Sequence, residues 1–225
     1  MIGVCFADDE RRMKQFVQLS TQLTHTDPKA ECGALAIALA ARCSMLGLSF
    51  EEFIEDVKRL MGDHGPAGSE LVELVERSHL SVSRGESTEL FVKTLGCANG
   101  VSGYMYHSVP AVLHAWQSYP LDYERAVTTI IRCGGDTDTT AAMTGAIVGA
   151  GVGQDGIPKR WLDDLIEWPR TVSWMETLAR KTADTPAMPN VARTHPVSVI
   201  QLFARNIAFI LLVLLHGFRR LLPPY

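Results

Sequence analysis

Apolar side chains recur at intervals of three and four residues along most of the chain, which is the spacing of a helix with one buried face. No segment shows the sustained apolar–polar alternation of a half-buried strand. The pattern therefore predicts an all-α fold. Helices are predicted at about 10–22, 29–45, 50–61, 71–75, 88–95, 110–118, 123–133, 137–150, 161–168, 172–181 and 197–222.

Short polar side chains mark where several of these helices begin. Asp8 is predicted to cap the first helix, in which Phe16, Val17 and Leu19 would face inward. The other predicted caps are Asp27 followed by Pro28, Ser49 with Glu52 as a capping box, Ser87 and Asp122. Pro110 is expected in the first turn of its helix, where the missing amide has no intrahelical partner to lose. The run Gly62, Gly65, Pro66 and Gly68 is expected to separate two helices.

Small residues predict where helices pack closely. The helix at 29–45 is rich in alanine and has almost no polar face, so other helices are expected on all its sides. In the helix at 137–150, Ala141, Gly145 and Gly149 recur every four residues on one face. That stripe is interpreted as a close helix–helix contact within the core.

Composition excludes several classes of protein. The 225 residues are 47% hydrophobic and 20% charged, which is typical of a globular protein and not of a disordered one. The formal charge of −4 and the lack of a basic run argue against binding to nucleic acid. Five widely spaced cysteines without a C-x-x-C pair argue against a disulfide framework or a zinc knuckle. No secretory signal is recognised at the start, so a cytoplasmic location is expected.

The C-terminal part of the chain predicts a separate helix. A proline-containing linker is expected at 185–196, between a domain at 1–184 and an apolar helix at 197–225. The uncharged stretch 206–218 is shorter than the roughly 20 residues that span a bilayer, and a longer stretch would include Arg205. Docking on the core or on a partner subunit is the preferred interpretation. Contact with a membrane is the alternative.

The candidate chemistry lies in the run Gly-Gly-Asp-Thr-Asp-Thr-Thr at 134–140, where a loop becomes a helix. Asp136, Asp138 and Thr139 offer hard oxygen donors, with no cysteine or histidine beside them. Such donors suit Mg²⁺, Mn²⁺ or Ca²⁺ better than zinc. Simple helix capping is the alternative, because aspartate and threonine are also favoured caps. Three side chains are too few for a hard-metal site, so further ligands would have to come from elsewhere.

Three segments together resemble the ADP-ribosylglycohydrolase family, which includes the dinitrogenase reductase-activating glycohydrolases. GGDTDTTAAMTGAIVGA is similar to the C-terminal metal motif of that family. LTHTDPKAECGALAIALA resembles its Thr-His segment and alanine-rich helix, and GCANGVSGYMYHSVPAVLHAW resembles its glycine loop and Ser-Val-Pro helix. The segments occur in the order of the family, and the resemblance spans about residues 7–153.

The resemblance implies a multi-helix orthogonal bundle that hydrolyses ADP-ribosyl glycosidic bonds with a two-metal Mg²⁺ or Mn²⁺ centre. The expected partner is an ADP-ribosylated protein or a small ADP-ribosyl compound. By residue match, the metal ligands would be Asp136, Asp138 and Thr139, and the substrate-binding residues would be His25, Gly100 and Val101.

One motif of the family is missing from this sequence. The family has a Thr-Asp-Asp segment near its N-terminus, whereas the acidic pairs here, at 8–9 and 163–164, lie in different contexts. The chain is therefore expected to correspond to the C-terminal part of such a domain, with the catalytic residues in the missing part. Alone it is expected to be inactive or nearly so. A non-catalytic helical binding or scaffolding module derived from the family is the alternative.

Two further patterns are given structural interpretations. The G-x-G-x-x-G spelling at 151–156 follows a helix and not a strand, so it is interpreted as a helix-terminating loop and not as a nucleotide fingerprint. His107 and His114 lie seven residues apart on one predicted helix without a third ligand. They are interpreted as hydrogen-bonded structural residues.

Overall fold

The computed structural model describes residues 1–183 and 197–221, and the regular structure of these residues is helical. The helices are α1 (Ile2–Cys5), α2 (Glu10–Gln22), α3 (Pro28–Leu46), α4 (Phe50–Met61), α5 (Gly65–Ser83), α6 (Thr88–Thr94), α7 (Met105–Ser118), α8 (Tyr123–Arg132), α9 (Thr137–Val152), α10 (Lys159–Asp163), α11 (Val172–Ala183) and α12 (Val199–Leu221). The predicted all-α class is confirmed.

The chain divides into two compact units, residues 1–158 and 159–225. The first contains α1 to α9 and the second contains α10 to α12. The predicted linker at 185–196 lies outside the described residues. The predicted division into 1–184, linker and 197–225 therefore stays a prediction.

Helix α3 forms the centre of the first unit. It packs against α1, α2, α4, α5, α7 and α9. Its buried residues are Ala30, Cys32, Gly33, Leu35, Ala36, Ala38, Leu39, Ala40, Ala41 and Cys43. The prediction that other helices surround this alanine-rich helix is confirmed. Its small side chains let several helices approach it closely.

Helix α7 is the second buried element, and every residue from Ser108 to Gln117 is buried. Trp116 is buried in the core. Its ring contacts those of Phe50 and Phe53 edge-on, with ring centroids 5.0 and 5.3 Å apart. Edge-to-face contacts of this kind add to the energy of area burial. The site described below is carried by the loops before α7 and before α9.

Local capping signals predict several helix starts correctly. The Ser49 hydroxyl accepts from the Glu52 amide at 3.2 Å while the Glu52 carboxylate accepts from the Ser49 amide at 2.8 Å. Asp27 accepts from the Lys29 amide at 2.9 Å at the start of α3. These contacts depend only on neighbours within three residues, so the sequence is sufficient to specify them.

The expectations for α2 are partly wrong. Asp9, and not Asp8, caps the helix and accepts from the Arg12 amide at 3.0 Å. Of the side chains expected inside, Val17 is buried, but Phe16 and Leu19 are largely exposed. The buried positions of α2 are Met13, Val17 and Thr21, which repeat every four residues.

Three other local expectations are corrected. Pro110 lies inside α7, which begins five residues earlier at Met105. Burial on all sides of α7 outweighs the hydrogen bond that the proline removes. The break after α4 is only the short 3-10 turn Gly62–His64, since α5 begins at Gly65 with Pro66 in its first turn. The helix predicted at 161–168 ends at Asp163.

The small-residue face of α9 packs against α8, as predicted. A Cβ added at Gly145 would lie 2.8 Å from the Tyr123 hydroxyl oxygen, and one at Gly149 would lie 3.4 Å from the Tyr123 ring. Glycine at these positions lets the tyrosine lie directly against the helix backbone. The loop at 151–156 terminates α9 with a turn at Gly153, where φ is +67°. The structural interpretation of the G-x-G-x-x-G spelling is therefore confirmed.

Candidate functional site

Two glycine-rich loops pair through their backbones to form the candidate site. The Val101 amide donates to the Gly134 carbonyl at 3.0 Å, and the Asp136 amide donates to the Val101 carbonyl at 2.7 Å. Together they form a parallel β-bridge between Val101 and Gly135. The segment predicted to bind substrate and the segment predicted to bind metal are therefore fixed against each other.

The pairing requires glycine on both loops. Gly100 has φ of +118°, and a Cβ there would lie 2.6 Å from the Gly135 nitrogen. Gly135 has φ of +82°, and a Cβ there would overlap the backbone of Val101. Both positions combine a left-handed backbone with a contact too close for any side chain. The glycines thus allow the two backbones to approach each other closely.

Asp136 occupies the N-cap position of α9, but its side chain accepts no capping hydrogen bond. Its carbonyl oxygen accepts from the Thr140 amide at 3.1 Å and from the Thr140 hydroxyl at 2.9 Å. Capping alone therefore does not account for the Asp136 carboxylate. A Cβ at Gly103 would lie 3.0 Å from Asp136 Oδ2, so a third glycine lets the loop backbone lie close to this carboxylate.

The carboxylates of Asp136 and Asp138 converge at the start of α9. A hydrogen bond with Asp136, together with the backbone amides of residues 138 and 139, holds the pKa of Asp138 below its usual range. Asp138 and Thr139 are exposed and Asp136 is half-buried, whereas Thr140 is buried below them. The donors therefore face outward from the end of a helix whose positive end stabilises negative charge.

The cluster is small. Within residues 1–183 and 197–221, no group of three or more histidine, cysteine, aspartate or glutamate side chains lies close enough together to hold a metal ion. Asp136 and Asp138 supply two carboxylates, and Thr139 adds a hydroxyl. These three donors match a hard cation in kind and provide about half of the usual six.

Val101 is fully buried in a small apolar cluster with Val92, Cys97, Ala111, Ala115 and Ile130. Its amide and carbonyl are both used in the pairing with the second loop. Its side chain and backbone therefore anchor the glycine loop to the core. Gly100, directly before it, is half-buried and at the edge of the same bridge.

His25 lies exposed in the turn between α2 and α3. Its amide donates to the Thr21 carbonyl at 2.8 Å, and its ring Nδ1 lies 2.8 Å from the Thr24 hydroxyl. The contacts described for His25 do not include Asp136, Asp138 or the glycine loop. The structure thus brings Gly100 and Val101 to the acidic cluster but shows no such contact for His25.

A contact that sequence reasoning missed ties α3 to the glycine loop. Lys29 donates to the Tyr104 hydroxyl at 2.9 Å and forms an ion pair with Glu70 at 2.7 Å. Its ammonium also lies 4.7 Å from the centre of the Tyr106 ring. The hydrogen bond to Glu70 raises the pKa of Lys29. No local signal pairs residues that lie 75 positions apart.

The two histidines of α7 have hydrogen-bonded positions, as predicted. His107 Nδ1 lies 2.9 Å from the Ser102 hydroxyl. His114 is fully buried between the hydroxyls of Thr88, at 3.0 Å, and Ser81, at 3.2 Å. Burial lowers the pKa of His114 to about 4, so it is neutral at pH 7.

Comparison with known proteins assigns the chain to a family. The sequence model of the ADP-ribosylglycohydrolase family matches residues 1–191. An uncharacterized protein of Archaeoglobus fulgidus is 31% identical over 182 residues, which cover 80% of this chain and 54% of the relative. The chain belongs to the ADP-ribosylglycohydrolase family.

Other relatives in the ADP-ribosylglycohydrolase family have named activities. Mouse ADP-ribosylhydrolase ARH3 is 30% identical over 177 residues, covering 66% of this chain and 46% of the relative. The ADP-ribosyl-[dinitrogen reductase] glycohydrolase of Rhodospirillum rubrum is 23% identical over 154 residues, covering 68% of this chain and 43% of the relative. The chain thus spans about half the length of the curated relatives that it matches. The predicted family and fold are confirmed.

Proposed function

We propose that the paired loops form part of the active site of an ADP-ribosyl hydrolase, which cleaves the glycosidic bond between ADP-ribose and its acceptor. The observation that carries this proposal is the bridge between Val101 and Gly135. It joins a glycine loop to two converging carboxylates, in a chain whose relatives are named ADP-ribosyl hydrolases.

Asp136, Asp138 and Thr139 would hold the metal in this proposal. Their oxygen donors fit Mg²⁺ or Mn²⁺, and the Asp136 carboxylate is not used as a helix cap. Because the cluster is exposed, water and groups outside it can complete the coordination. A bound Mg²⁺ or Mn²⁺ would supply positive charge that polarises oxygen atoms of the substrate.

The glycine loop would orient the substrate beside these carboxylates. Gly100 lets this loop lie against the Gly135 backbone, and Gly103 lets it lie against the Asp136 carboxylate, so a diphosphate or ribose bound at the carboxylates would be next to the loop. The bridge fixes the register of the two loops, and the buried Val101 side chain anchors them to the core. A preorganised loop of this kind lowers the entropy cost of binding.

The proposed substrate class is an ADP-ribosylated protein or a small ADP-ribosyl compound. The printed names of the relatives include a hydrolase of ADP-ribosyl-[dinitrogen reductase] and the ADP-ribosylarginine hydrolase Tri1 of Serratia proteamaculans. The acceptor linkage differs between these names. We therefore assign the ADP-ribosyl moiety, and no particular acceptor, to this site.

The test is calorimetric binding of ADP-ribose to the full chain with MgCl₂ or MnCl₂, followed by release of ADP-ribose from arginine- and serine-modified peptides. We expect metal-dependent binding that Asp136→Asn weakens about tenfold or more, since it removes a charged ligand. Asp155→Asn is the matched control, because Asp155 is exposed and lies outside the paired loops.

Two results would revise the proposal. Binding of ADP-ribose that neither metal changes would favour a non-catalytic binding module derived from the family. Failure to bind ADP-ribose with either metal, in a chain that unfolds cooperatively, would contradict the assignment of the site.

A further inference from the structure

Helix α12 lacks a polar face over much of its length, as α3 does, but unlike α3 it is exposed. From Ile207 to Leu215 nine consecutive residues are apolar, and they cover every side of about two and a half turns. A helix that docks in a groove keeps a polar stripe toward water. Whichever side of this helix faced a groove, leucine, isoleucine or phenylalanine side chains on the opposite side would be exposed to solvent.

The apolar side chains of α12 are exposed in the structure. Leu211 is 61% exposed, Leu212 is 64% exposed and Leu215 is 69% exposed. None of its most hydrophobic window is buried, so α12 is not a core helix among the described residues. It lies at residues 199–221, far from the N-terminal end of the chain where a cleaved signal would lie.

The whole of α12 is long enough to cross a bilayer, although its uncharged part alone is not. Its 23 residues have a mean hydropathy of 2.0 in the most apolar window. At 1.5 Å per residue this helix is about 34 Å long, compared with a hydrocarbon core of about 30 Å. The uncharged part, 206–218, is shorter and is bounded by Arg205 on one side and by Arg219 and Arg220 on the other. Long arginine side chains at such boundaries extend toward the headgroups.

The formal charge of α12 is opposite in sign to that of the rest of the protein. The helix contains three arginines and no aspartate or glutamate, while the whole chain has a formal charge of −4. The remaining residues therefore have a formal charge of −7. Arg205 is paired with Glu167 at 3.0 Å, and Arg219 and Arg220 are adjacent basic residues in the last turn of the helix. Cationic ends on an apolar helix favour anionic lipid headgroups.

We infer that α12 inserts into a lipid bilayer containing anionic phospholipid and tethers the chain to the membrane surface. The apolar run Ile207–Leu215 lies among the acyl chains, and Arg219 and Arg220 contact phosphate headgroups. Arg205, held by Glu167, lies at the opposite boundary of the apolar region. This inference rests on α12 alone and does not depend on the proposed hydrolase activity.

The experiment is flotation of the purified full chain with vesicles of phosphatidylcholine, with and without phosphatidylglycerol. We expect the chain to float with the vesicles, more strongly with phosphatidylglycerol, and to resist elution by high salt and alkaline carbonate. The double variant Leu211→Asp, Leu215→Asp should reduce the vesicle partition coefficient about tenfold or more, because each charge must enter the apolar region.

The matched control is Leu90→Asp, Leu121→Asp, which places the same two changes on exposed leucines of the first unit. It should float like the unmodified chain. Far-ultraviolet circular dichroism and cooperative unfolding check that both variants fold. In addition, Leu212→Trp should add tryptophan fluorescence that brominated phosphatidylcholine quenches. The quenching reports how deeply residue 212 lies in the bilayer, and the substitution keeps α12 apolar.

Three outcomes would overturn the inference. The first is a chain that stays at the bottom of the gradient with both lipid mixtures. The second is binding that high salt removes completely, since this would show surface attraction without insertion. The third is self-association that persists in the presence of vesicles, keeps the chain from floating and is abolished by the α12 double variant, which would assign the apolar helix to contact with a second copy.

Discussion

The amide of Asp136 donates to the carbonyl of Val101 at 2.7 Å, and this contact joins the two halves of the candidate site. It places an acidic residue at the start of α9 directly beside the loop that precedes α7. Because the buried Val101 side chain is part of the core, the position of Asp136 is coupled to core packing.

Gly135→Ala should destabilise the protein more than an ordinary substitution of glycine. The new Cβ would overlap the Val101 backbone, and the left-handed φ adds strain. We expect a loss of roughly 2–4 kcal/mol in the free energy of unfolding, measured by urea denaturation. Gly47→Ala is the control, since Gly47 has a left-handed backbone with φ of +66° and a Cβ added there would have no atom within 4 Å. It should lose only about 1 kcal/mol. Equal losses would show that the bridge adds no steric requirement.

Burial of His114 should make the protein less stable in mild acid. Its pKa is about 4 in the folded state, compared with 6.5 as the reference value, so the unfolded chain binds this proton first as the pH falls. The stability cost appears below pH 6.5 and is complete near pH 4. Between pH 7 and pH 5 we expect a loss of about 2 kcal/mol from this residue.

The variant His114→Gln isolates that effect. It should be less stable at pH 7, because Thr88 and Ser81 lose hydrogen-bond partners, but its stability should fall less between pH 7 and pH 5. Identical pH slopes for His114→Gln and the unmodified chain would contradict the assignment of a buried neutral imidazole.

Arg42 should contribute more to stability than the exposed ion pairs. It donates to the Ala7 carbonyl at 2.7 Å and to the Asp56 carboxylate at 3.0 Å, and both ionic side chains are mostly buried. Arg42→Met should lose about 2 kcal/mol, since it leaves the Ala7 carbonyl and Asp56 Oδ2 without this donor, while Arg59 still donates to Asp56 Oδ1 at 2.6 Å. Lys58→Met, which removes exposed pairs with Glu55 and Glu76, should lose much less. Thermal denaturation at two salt concentrations measures both, and a larger loss for Lys58→Met would refute the comparison.

Metal should stabilise the chain through the α9 cluster. Titration with MnCl₂ or MgCl₂ should raise the melting temperature, because an ion that binds only the folded state shifts the equilibrium toward it. Asp138→Asn should remove most of the increase, while Asp155→Asn should keep it. An equal increase in both variants would locate the ion elsewhere on the protein.

Neighbouring residues alone specify much of the fold. The capping box of Ser49 and Glu52, the Asp27 cap and the alanine-rich pattern of α3 predict helix starts and burial correctly, since each depends on contacts within a turn or on helical periodicity. The acidic run at 134–140 is also recognisable from residue type and spacing. The resemblance of this run to a motif of the ADP-ribosylglycohydrolases led to the correct family.

Only the tertiary structure decided how these parts meet. Val101 and Gly135 are 34 positions apart, and Lys29 and Tyr104 are 75 apart, so no local pattern could pair them. The same limit explains the wrong inward face of α2 and the position of Pro110, where the choice depends on what packs alongside the helix. Local propensity fixes helices through short-range hydrogen bonds. Contacts between distant residues are fixed by the burial of many side chains at once, and these contacts built the candidate site.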